Sequence, residues 1–329
     1  MSEKKEHITS IGGQAVLEGV MMRGPYKTAC AVRKPDGEIV VEENENGSKT
    51  RPKFCKLPII RGCVNFIDSL IIGMKALMFS AEFIDLEAEE ETESKFDKWL
   101  EEKFGDKIKD IVIYVAIALS IVLSVGFFIL LPSLLTSVLE WILSKIPFLA
   151  QIAETKTFTG LSEGVLRMAI FLVYMILVSQ MKDIKRVFEY HGAEHKTIAC
   201  YEAGEELTVE NVKKHTRFHP RCGTSFLLFV MVISIIIFIL LPRFDQYGKI
   251  LQIVLRMLTR IALLPVVAGL SYEVIKFAGR SKSKCVAFLT KPGIWLQKLT
   301  TREPDESQIE VAIKSLTAVI PENREEDKW

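Results

Sequence analysis

A run of 21 residues without a single charged side chain, 111–131, constrains this chain more than any other feature of its sequence. At about 1.5 Å per residue, a helix of this length matches the roughly 30 Å hydrocarbon core of a bilayer. A similar uncharged run covers 225–241, and each run is followed by a proline, Pro132 or Pro242. The sequence therefore predicts transmembrane helices at both positions.

Two further segments, 164–181 and 261–277, also predict transmembrane helices, each with a charged residue near one end, Arg167 or Glu273. Of all residues, 49% are hydrophobic and 25% are charged, and the two classes are separated into blocks. This composition excludes a disordered chain and a disulfide-rich mini-domain. The predicted fold class is a mainly α, polytopic helical membrane protein with about four transmembrane helices and a small cytoplasmic α+β part.

Lys and Arg residues near the ends of the spans predict the orientation of the chain. The segments 132–162 and 243–249 each contain two Lys or Arg residues. The segment 182–223 contains eight, and five more lie in the last residues of the fourth span and after it. Because positively charged loops are retained in the cytoplasm, both termini and the middle loop are expected there. The total of 42 Lys and Arg against 41 Asp and Glu provides no basic field, so no nucleic-acid partner is predicted.

The N-terminal part carries turn signals. Residues 27–43 alternate around Pro35-Asp36-Gly37, which predicts a β-hairpin. The preceding GGQAVLEGVMMRG has a glycine density that is typical either of a turn-rich strand segment or of a close approach of the backbone to another group. The six cysteines all fall on the predicted cytoplasmic side, where reduced thiols or metal ligands are expected rather than disulfides.

The segment 57–84 predicts an amphipathic helix that lies in the membrane interface or packs on the bundle. Its charged residues are spaced by seven and so fall on one stripe: Arg61, Asp68, Lys75 and Glu82. Four charges would make a membrane crossing costly. The predicted domain organisation is 1–56 glycine-rich segment and hairpin, 57–110 interfacial helix and charged linker, 111–181 first two spans, 182–223 His-rich loop, 224–278 last two spans, and 279–329 cytoplasmic tail with a frayed acidic end.

Four of the five histidines lie in the predicted cytoplasmic loop 182–223. His191 and His195 are four residues apart, so on a helix both rings reach one metal ion, and Glu194 stands beside them. This H-x-x-E-H order is the inverted counterpart of the zincin motif, in which the glutamate acts on a metal-bound water. The alternative is that this pentapeptide occurs by chance on an ordinary polar helix and does not bind a metal.

A third metal ligand is expected from His219, Cys222 or Glu273. His219 and Cys222 come just before the third span, and Glu273 comes near the cytoplasmic end of the fourth. Glu18, in the glycine-rich segment, is a further candidate. His215 and His219 are equally consistent with juxtamembrane residues that hydrogen-bond headgroups or helix ends.

Four motifs in one order, GGQAVLEGVMMRGP, AVRKPDG, YHGAEHK and HPRCGTSF, resemble those of the bacterial YqhQ-like family, commonly labelled "predicted metal-dependent enzyme". The resemblance extends from residue 11 to about residue 292. It implies a multi-pass protein of the bacterial plasma membrane. Its shared motif residues correspond here to Gly12, Gly13, Gln14, Glu18, Arg23, His191, Glu194, His195, His219, Arg221 and Cys222.

The leading functional hypothesis is zinc-assisted hydrolysis of a peptide or lipid-linked substrate at the membrane surface, with Glu194 as the catalytic general base. The first rival is a non-enzymatic scaffold or protein-biogenesis factor in which the same cluster is structural. Such a protein would have the lipid bilayer and a membrane protein as partners. The second rival is an ion transporter with Arg260 and Glu273 along its path.

Overall fold

A computed structural model describes residues 7–46, 52–83, 107–153, 155–242, 244, 246–280 and 283–328. The chain divides into two compact units. The first contains Met1–Ile84, Met175–Phe229 and Ala268–Trp329, and the second contains Asp85–Tyr174 and Val230–Val267. The predicted charged linker over 87–109 lies almost wholly outside the described residues.

The first unit begins with four antiparallel strands in the order β1-β2-β3-β4. They are β1 (Gly12–Val16), β2 (Gly19–Arg23), β3 (Lys27–Arg33) and β4 (Ile39–Glu45). The predicted hairpin is confirmed as β3–β4, with Gly37 in the turn at a φ of +88° that favours glycine. The glycine-rich segment adds two more strands, so the predicted hairpin is half of a larger sheet.

Helices make up most of the remaining chain. They are α1 (Ile60–Ala81), α2 (Lys107–Val125), α3 (Leu131–Leu143), α4 (Pro147–Ala153), α5 (Lys156–Val178), α6 (Lys182–Glu202), α7 (Val209–Lys213), α8 (Gly223–Ile239), α9 (Lys249–Arg280), α10 (Lys284–Thr300) and α11 (Glu306–Val319). A π-helical turn, Gly126–Leu130, joins α2 to α3. Short 3-10 turns cover Lys53–Lys56 and Arg324–Asp327.

The two faces of the sheet contact different helices, because successive side chains of a strand point to opposite sides. One face packs Val20, Met22, Ala29 and Ala31 into a core with α6 and α11. The other face packs Val16, Met21, Cys30 and Val32 against α1. The sheet is therefore a layer between α1 and the pair α6–α11.

Four described helical segments are long and apolar enough to cross a membrane by length and composition: Ile60–Ala81, Ala118–Leu143, Lys156–Val178 and Leu251–Ala278. The expected number of long apolar helices is thus confirmed, although the set differs from the predicted one. The predicted span 225–241 forms the apolar helix α8, which is shorter at 17 residues. The first segment is the helix that the sequence places in the interface because of its charges.

The C-terminal part is more structured than the sequence indicates. Where a tail is predicted over 279–329, the structure has α10 and α11, and α11 buries Ile309, Ala312 and Leu316 under the sheet. The expectation of a frayed acidic end is wrong within the described residues, since Asp327 is fully buried and accepts a hydrogen bond from Thr9 Oγ1 at 2.5 Å. Packing against sequence-distant residues overrides the local polarity of this segment.

Candidate metal centre

The helix α6 positions the H-x-x-E-H motif. The segment around Tyr190 is buried, and His195 is 1% exposed. Glycine has a low helix propensity, so Gly192 argues against a helix when the sequence is read alone. In the structure it allows this packing, because a β-carbon there would lie 1.9 Å from the carbonyl oxygen of Arg302. A helical geometry for the motif is therefore maintained by a tight contact with the chain after α10.

Backbone carbonyls orient both imidazole rings of the motif. The Nδ1 of His191 lies 2.8 Å from the Thr300 carbonyl oxygen, and the Nδ1 of His195 lies 2.6 Å from that of Arg217. A carbonyl can only accept, so each Nδ1 carries the proton and donates it. Each Nε2 then has its lone pair directed into the cluster, which is the arrangement that metal-ligating histidines adopt. The Nε2 of His195 is buried without a hydrogen-bond partner.

Cys222 completes a group of three potential ligands. It is buried just before α8, and its Sγ lies 3.2 Å from His191 Nε2. The ligand atoms of His191, His195 and Cys222 all lie within 4.8 Å of one another. Zinc bonds to nitrogen and sulfur are about 2.0 and 2.3 Å long, so atoms at these separations fit around one ion after small adjustments. Two imidazoles and a thiolate are also a donor set that zinc accepts.

Glu194 points into the same buried region. Its Oε2 has no hydrogen-bond partner and lies 3.9 Å from His191 Nε2. Burial raises the pKa of this carboxyl above its ordinary value, and the charge of His191 and the N–H of Gly13 oppose that shift. An unpartnered carboxyl oxygen is costly to bury. The sequence placed Glu194 beside the ligands but provided no sign of its contact with Gly13.

His219 lies next to the cluster without joining it. Its ring centre is 5.6 Å from that of His195, but its Nε2 faces Arg221 at 3.2 Å and Glu202 at 3.7 Å. Burial lowers the pKa of His219, and the hydrogen bond from its ring to Glu202 opposes this shift. Arg221 also forms an ion pair with Glu202, whose other partner is the backbone N–H of Thr9. These residues hold the turn before Cys222 in place.

The structure places the two other carboxylates in ion pairs outside the three-ligand group. Glu273 accepts from Arg61 Nε at 2.6 Å. Glu18 accepts from Arg186 Nη2 at 2.6 Å and from the Tyr190 hydroxyl at 3.2 Å. Of the candidates for a third ligand, Cys222 is thus the one that the structure brings to both histidines.

The remaining residues of the glycine-rich motif position β1 and β2. Gly13 leaves room for Glu194, since a β-carbon there would lie 3.0 Å from Glu194 Cδ, whereas the site of Gly12 is open. The side chain of Gln14 packs against Gly73 of α1, and Arg23 lies 3.8 Å from Asp68. The motif therefore connects the sheet both to the candidate centre and to α1.

A second group of possible ligands, Cys200, Glu205 and His215, was missed in the sequence. Burial and the charge of Glu205 raise the pKa of the Cys200 thiol to about 11, and its Sγ lies 3.6 Å from the Glu206 carbonyl oxygen. His215 Nε2 contacts Glu205 Oε2 at 3.3 Å. A protonated thiol and this ion pair account for the group without a metal.

Comparison with known proteins identifies the family. Residues 57–322 match the family described as "Protein of unknown function (DUF1385)". The chain belongs to this family. It is also 37% identical over 315 residues to "Uncharacterized protein YqhQ" of Bacillus subtilis (strain 168), covering 94% of this chain and 92% of the relative. The predicted membership of a YqhQ-like family is thereby confirmed. No solved structure matches the chain.

Proposed function

We propose that this protein binds a divalent metal ion, zinc by its donor set, through His191, His195 and Cys222, and that the centre hydrolyses a substrate at the membrane surface. The observation that carries the proposal is the pair of unpartnered buried atoms, His195 Nε2 and Glu194 Oε2, beside a thiol and a second imidazole. Uncompensated polar atoms in a protein interior are expensive, and a bound cation would coordinate His195 Nε2 and place a positive charge beside Glu194 Oε2. When bound, the metal would supply Lewis-acid polarisation of a substrate oxygen.

The residues of the chain have distinct roles in this proposal. The carbonyls of Thr300 and Arg217 hold the two rings with their lone pairs inward. Three protein ligands are the number typical of a catalytic zinc site, which keeps one position open. Glu194 is the acid–base group, because its raised pKa allows it to take up and release a proton closer to neutral pH.

The position of the centre along the chain supports a substrate at the membrane surface. Cys222 immediately precedes the apolar helix α8, and α6 begins four residues after the end of α5. The Lys and Arg distribution supports a cytoplasmic position for this region and for both termini, and the similarity to a Bacillus subtilis protein supports a bacterial plasma membrane. Peptides and lipid-linked groups are the substrate classes available at that depth.

A structural metal site is the second candidate, and the burial of the cluster favours it. His195 is 1% exposed, Glu194 4% and Cys222 8%. In this alternative the ion fastens the turn before α8 to α6, and the assembled cytoplasmic unit serves as a scaffold for another membrane protein. Glu194 would then be a fourth ligand or dispensable.

Metal analysis of the full-length protein, purified in detergent without chelators, tests both candidates. We expect stoichiometric zinc in the wild type and its loss in His195→Ala. A wild type without bound metal would refute both. Glu194→Gln separates them, with Glu210→Gln, an exposed glutamate of α7, as the matched control. Hydrolysis predicts that Glu194→Gln keeps the metal and fails to complement a deletion strain. A structural role without Glu194 as ligand predicts full complementation.

A further inference from the structure

We propose that α1 lies parallel to the membrane surface, on the same side of the membrane as the sheet. Its exposed apolar face then binds the lipids of the leaflet on that side. The inference concerns a different surface from the candidate metal centre and is independent of the chemistry there. Because α1 is long and apolar enough to cross a bilayer, the alternative is a spanning helix. Four arguments favour the flat orientation, three from contacts and exposure within the first unit and one from the number of apolar segments along the chain.

One stripe of α1 consists of large apolar side chains that are open to the surroundings. Ile67, Leu70, Met74 and Met78 recur at helical spacing and are 55%, 57%, 42% and 47% exposed. The charged stripe and the packed stripe lie on the other sides of the helix. A helix with one wide apolar face and one charged edge is the form that binds in the plane of an interface.

The second half of α1 packs on the sheet. Ile72, Ala76 and Phe79, together with Phe83 just after the helix, cover the face of the sheet that carries Met21 and Cys30. The adjoining strand β4 ends in the acidic sequence Glu42-Glu43-Asn44-Glu45. A transmembrane orientation would bring this polar strand into the hydrocarbon, where unpaired backbone groups and charges are very unfavourable.

The first half of α1 contacts the ends of two apolar helices. The ring of Phe66 lies 5.9 Å from that of Phe226, in the first turn of α8. Gly62 packs against Gly269, and Arg61 forms its ion pair with Glu273, both in the last third of α9. The helix therefore contacts α8 and α9 at the parts of them that belong to the first unit, near the ends at which they would leave the membrane.

The number of crossings gives the fourth argument. The sheet, α6 and α11 share one core, so they lie on one side of the membrane. The chain between β4 and α6 must then cross an even number of times. Its described residues contain three long apolar segments: α1, Ala118–Leu143 and α5. Since α1 is the least apolar and has a charge at every seventh position, it is the segment that does not cross.

The segment before α1 fits the same orientation. In the 3-10 turn Lys53–Lys56, both lysines are exposed, and Phe54 beside them is 60% exposed. Lysines on either side of an exposed aromatic ring are suited to the headgroup region of an anionic leaflet. They would anchor the N-terminal end of α1 at the depth of its apolar face.

Depth measurements on the full-length protein in vesicles of phosphatidylglycerol and phosphatidylcholine test the proposal. A fluorophore is attached to Ile67→Cys or Met78→Cys, in a background with Cys55→Ser and Cys63→Ser. Quenching by nitroxides placed high or low on the lipid chains reports depth. The two positions are separated by about 16 Å along a helix axis. The control is Asp36→Cys, in the exposed turn between β3 and β4.

A flat helix predicts that both α1 positions are quenched more strongly by the shallow nitroxide, in the same ratio, and that the control is not quenched. Depths that differ between the two positions by the length of the helix between them would show a crossing and overturn the proposal. Absence of quenching by either lipid would overturn it as well, because water or a protein partner would then cover this face. The Cys55→Ser, Cys63→Ser background protein, taken through the same labelling reaction, supplies the blank for fluorophore attached to the remaining cysteines.

Discussion

The backbone N–H of Gly13 donates to the carboxylate of Glu194, which joins the glycine-rich strand β1 to the H-x-x-E-H helix. A β-carbon on residue 13 would lie 3.0 Å from Glu194 Cδ and 2.7 Å from the Met21 carbonyl oxygen. The contact therefore requires glycine at this position. Two motifs that are far apart in the sequence form one site for this reason.

Gly13→Ala tests this contact. The added methyl group has no room, so we expect a loss of about 1–3 kcal/mol in stability and a lower metal content. Gly12→Ala is the matched control, because a β-carbon there meets no atom within 4 Å. Thermal unfolding and metal analysis of both variants measure the effect. Equal behaviour of the two variants would show that Gly13 does not shape the site.

Cys222→Ser and Glu273→Gln distinguish the third ligand. A hydroxyl is a poor zinc donor compared with a thiolate, so we expect Cys222→Ser to lose most of the bound metal. Glu273 is engaged by Arg61, and its substitution should leave the metal content unchanged. The metal-to-protein ratio of each purified variant is the measurement. Metal loss only in Glu273→Gln would contradict the assignment of Cys222.

Thiol reactivity should differ among the described cysteines. Burial, together with the charge of Glu42, raises the pKa of Cys30 to about 12, and the pKa of Cys200 is about 11. Both thiols stay protonated near pH 8, so neither should react with a maleimide until the pH approaches these values or the protein unfolds. The half-buried Cys55 and Cys63 provide the contrast. Mass spectrometry of digested, labelled protein locates each modification, and rapid labelling of Cys30 at pH 8 would contradict this expectation.

The N-cap of α11 should contribute measurably to stability. Asp305 and Gln308 form a reciprocal capping box, so Asp305→Ala should cost about 1 kcal/mol and Asp305→Asn less. Burial tends to raise the pKa of Asp305, but hydrogen bonds from Ser307 and Gln308 and the charge of Arg186 lower it overall. A lowered pKa in the folded state means that this stabilisation is present at pH 7 and is lost as the pH falls through that pKa. Denaturation curves recorded at pH 7 and at a pH below the folded-state pKa measure this loss of stability.

In the second unit, Glu163→Gln should be severely destabilising. Glu163 is buried and pairs with both Arg167 and Arg260, so the variant leaves two guanidinium groups without a counter-charge. Breaking a buried pair in this way costs roughly 3–5 kcal/mol. Adding Arg260→Met should recover part of the loss, as a double-mutant cycle would show. If Arg260→Met recovers none of the lost stability, the unpaired charge of Arg260 is not a cause of the destabilisation.

Local sequence patterns predicted much of the fold. Apolar runs long enough to span a bilayer predict helices, and Pro35-Asp36-Gly37 predicts a turn, since both signals depend on neighbouring residues only. The signals for α11 were also present, in the capping pair Asp305 and Gln308 before a periodic apolar run, but the acidic residues that follow obscured them. The set of long apolar helices differed from the prediction because α8 is only 17 residues long and because the 22 residues of α1 are apolar on average despite its charged stripe.

By itself, the sequence determined the mainly helical class, the hairpin and the placement of His191, Glu194 and His195 on one helix, because each of these follows from the spacing of nearby residues. Only the tertiary structure decided that Cys222 approaches both histidines, that Glu273 pairs with Arg61 and that Gly13 contacts Glu194. Those contacts join residues far apart in the chain. They depend on how the helices and the sheet pack, a property that no local spacing encodes.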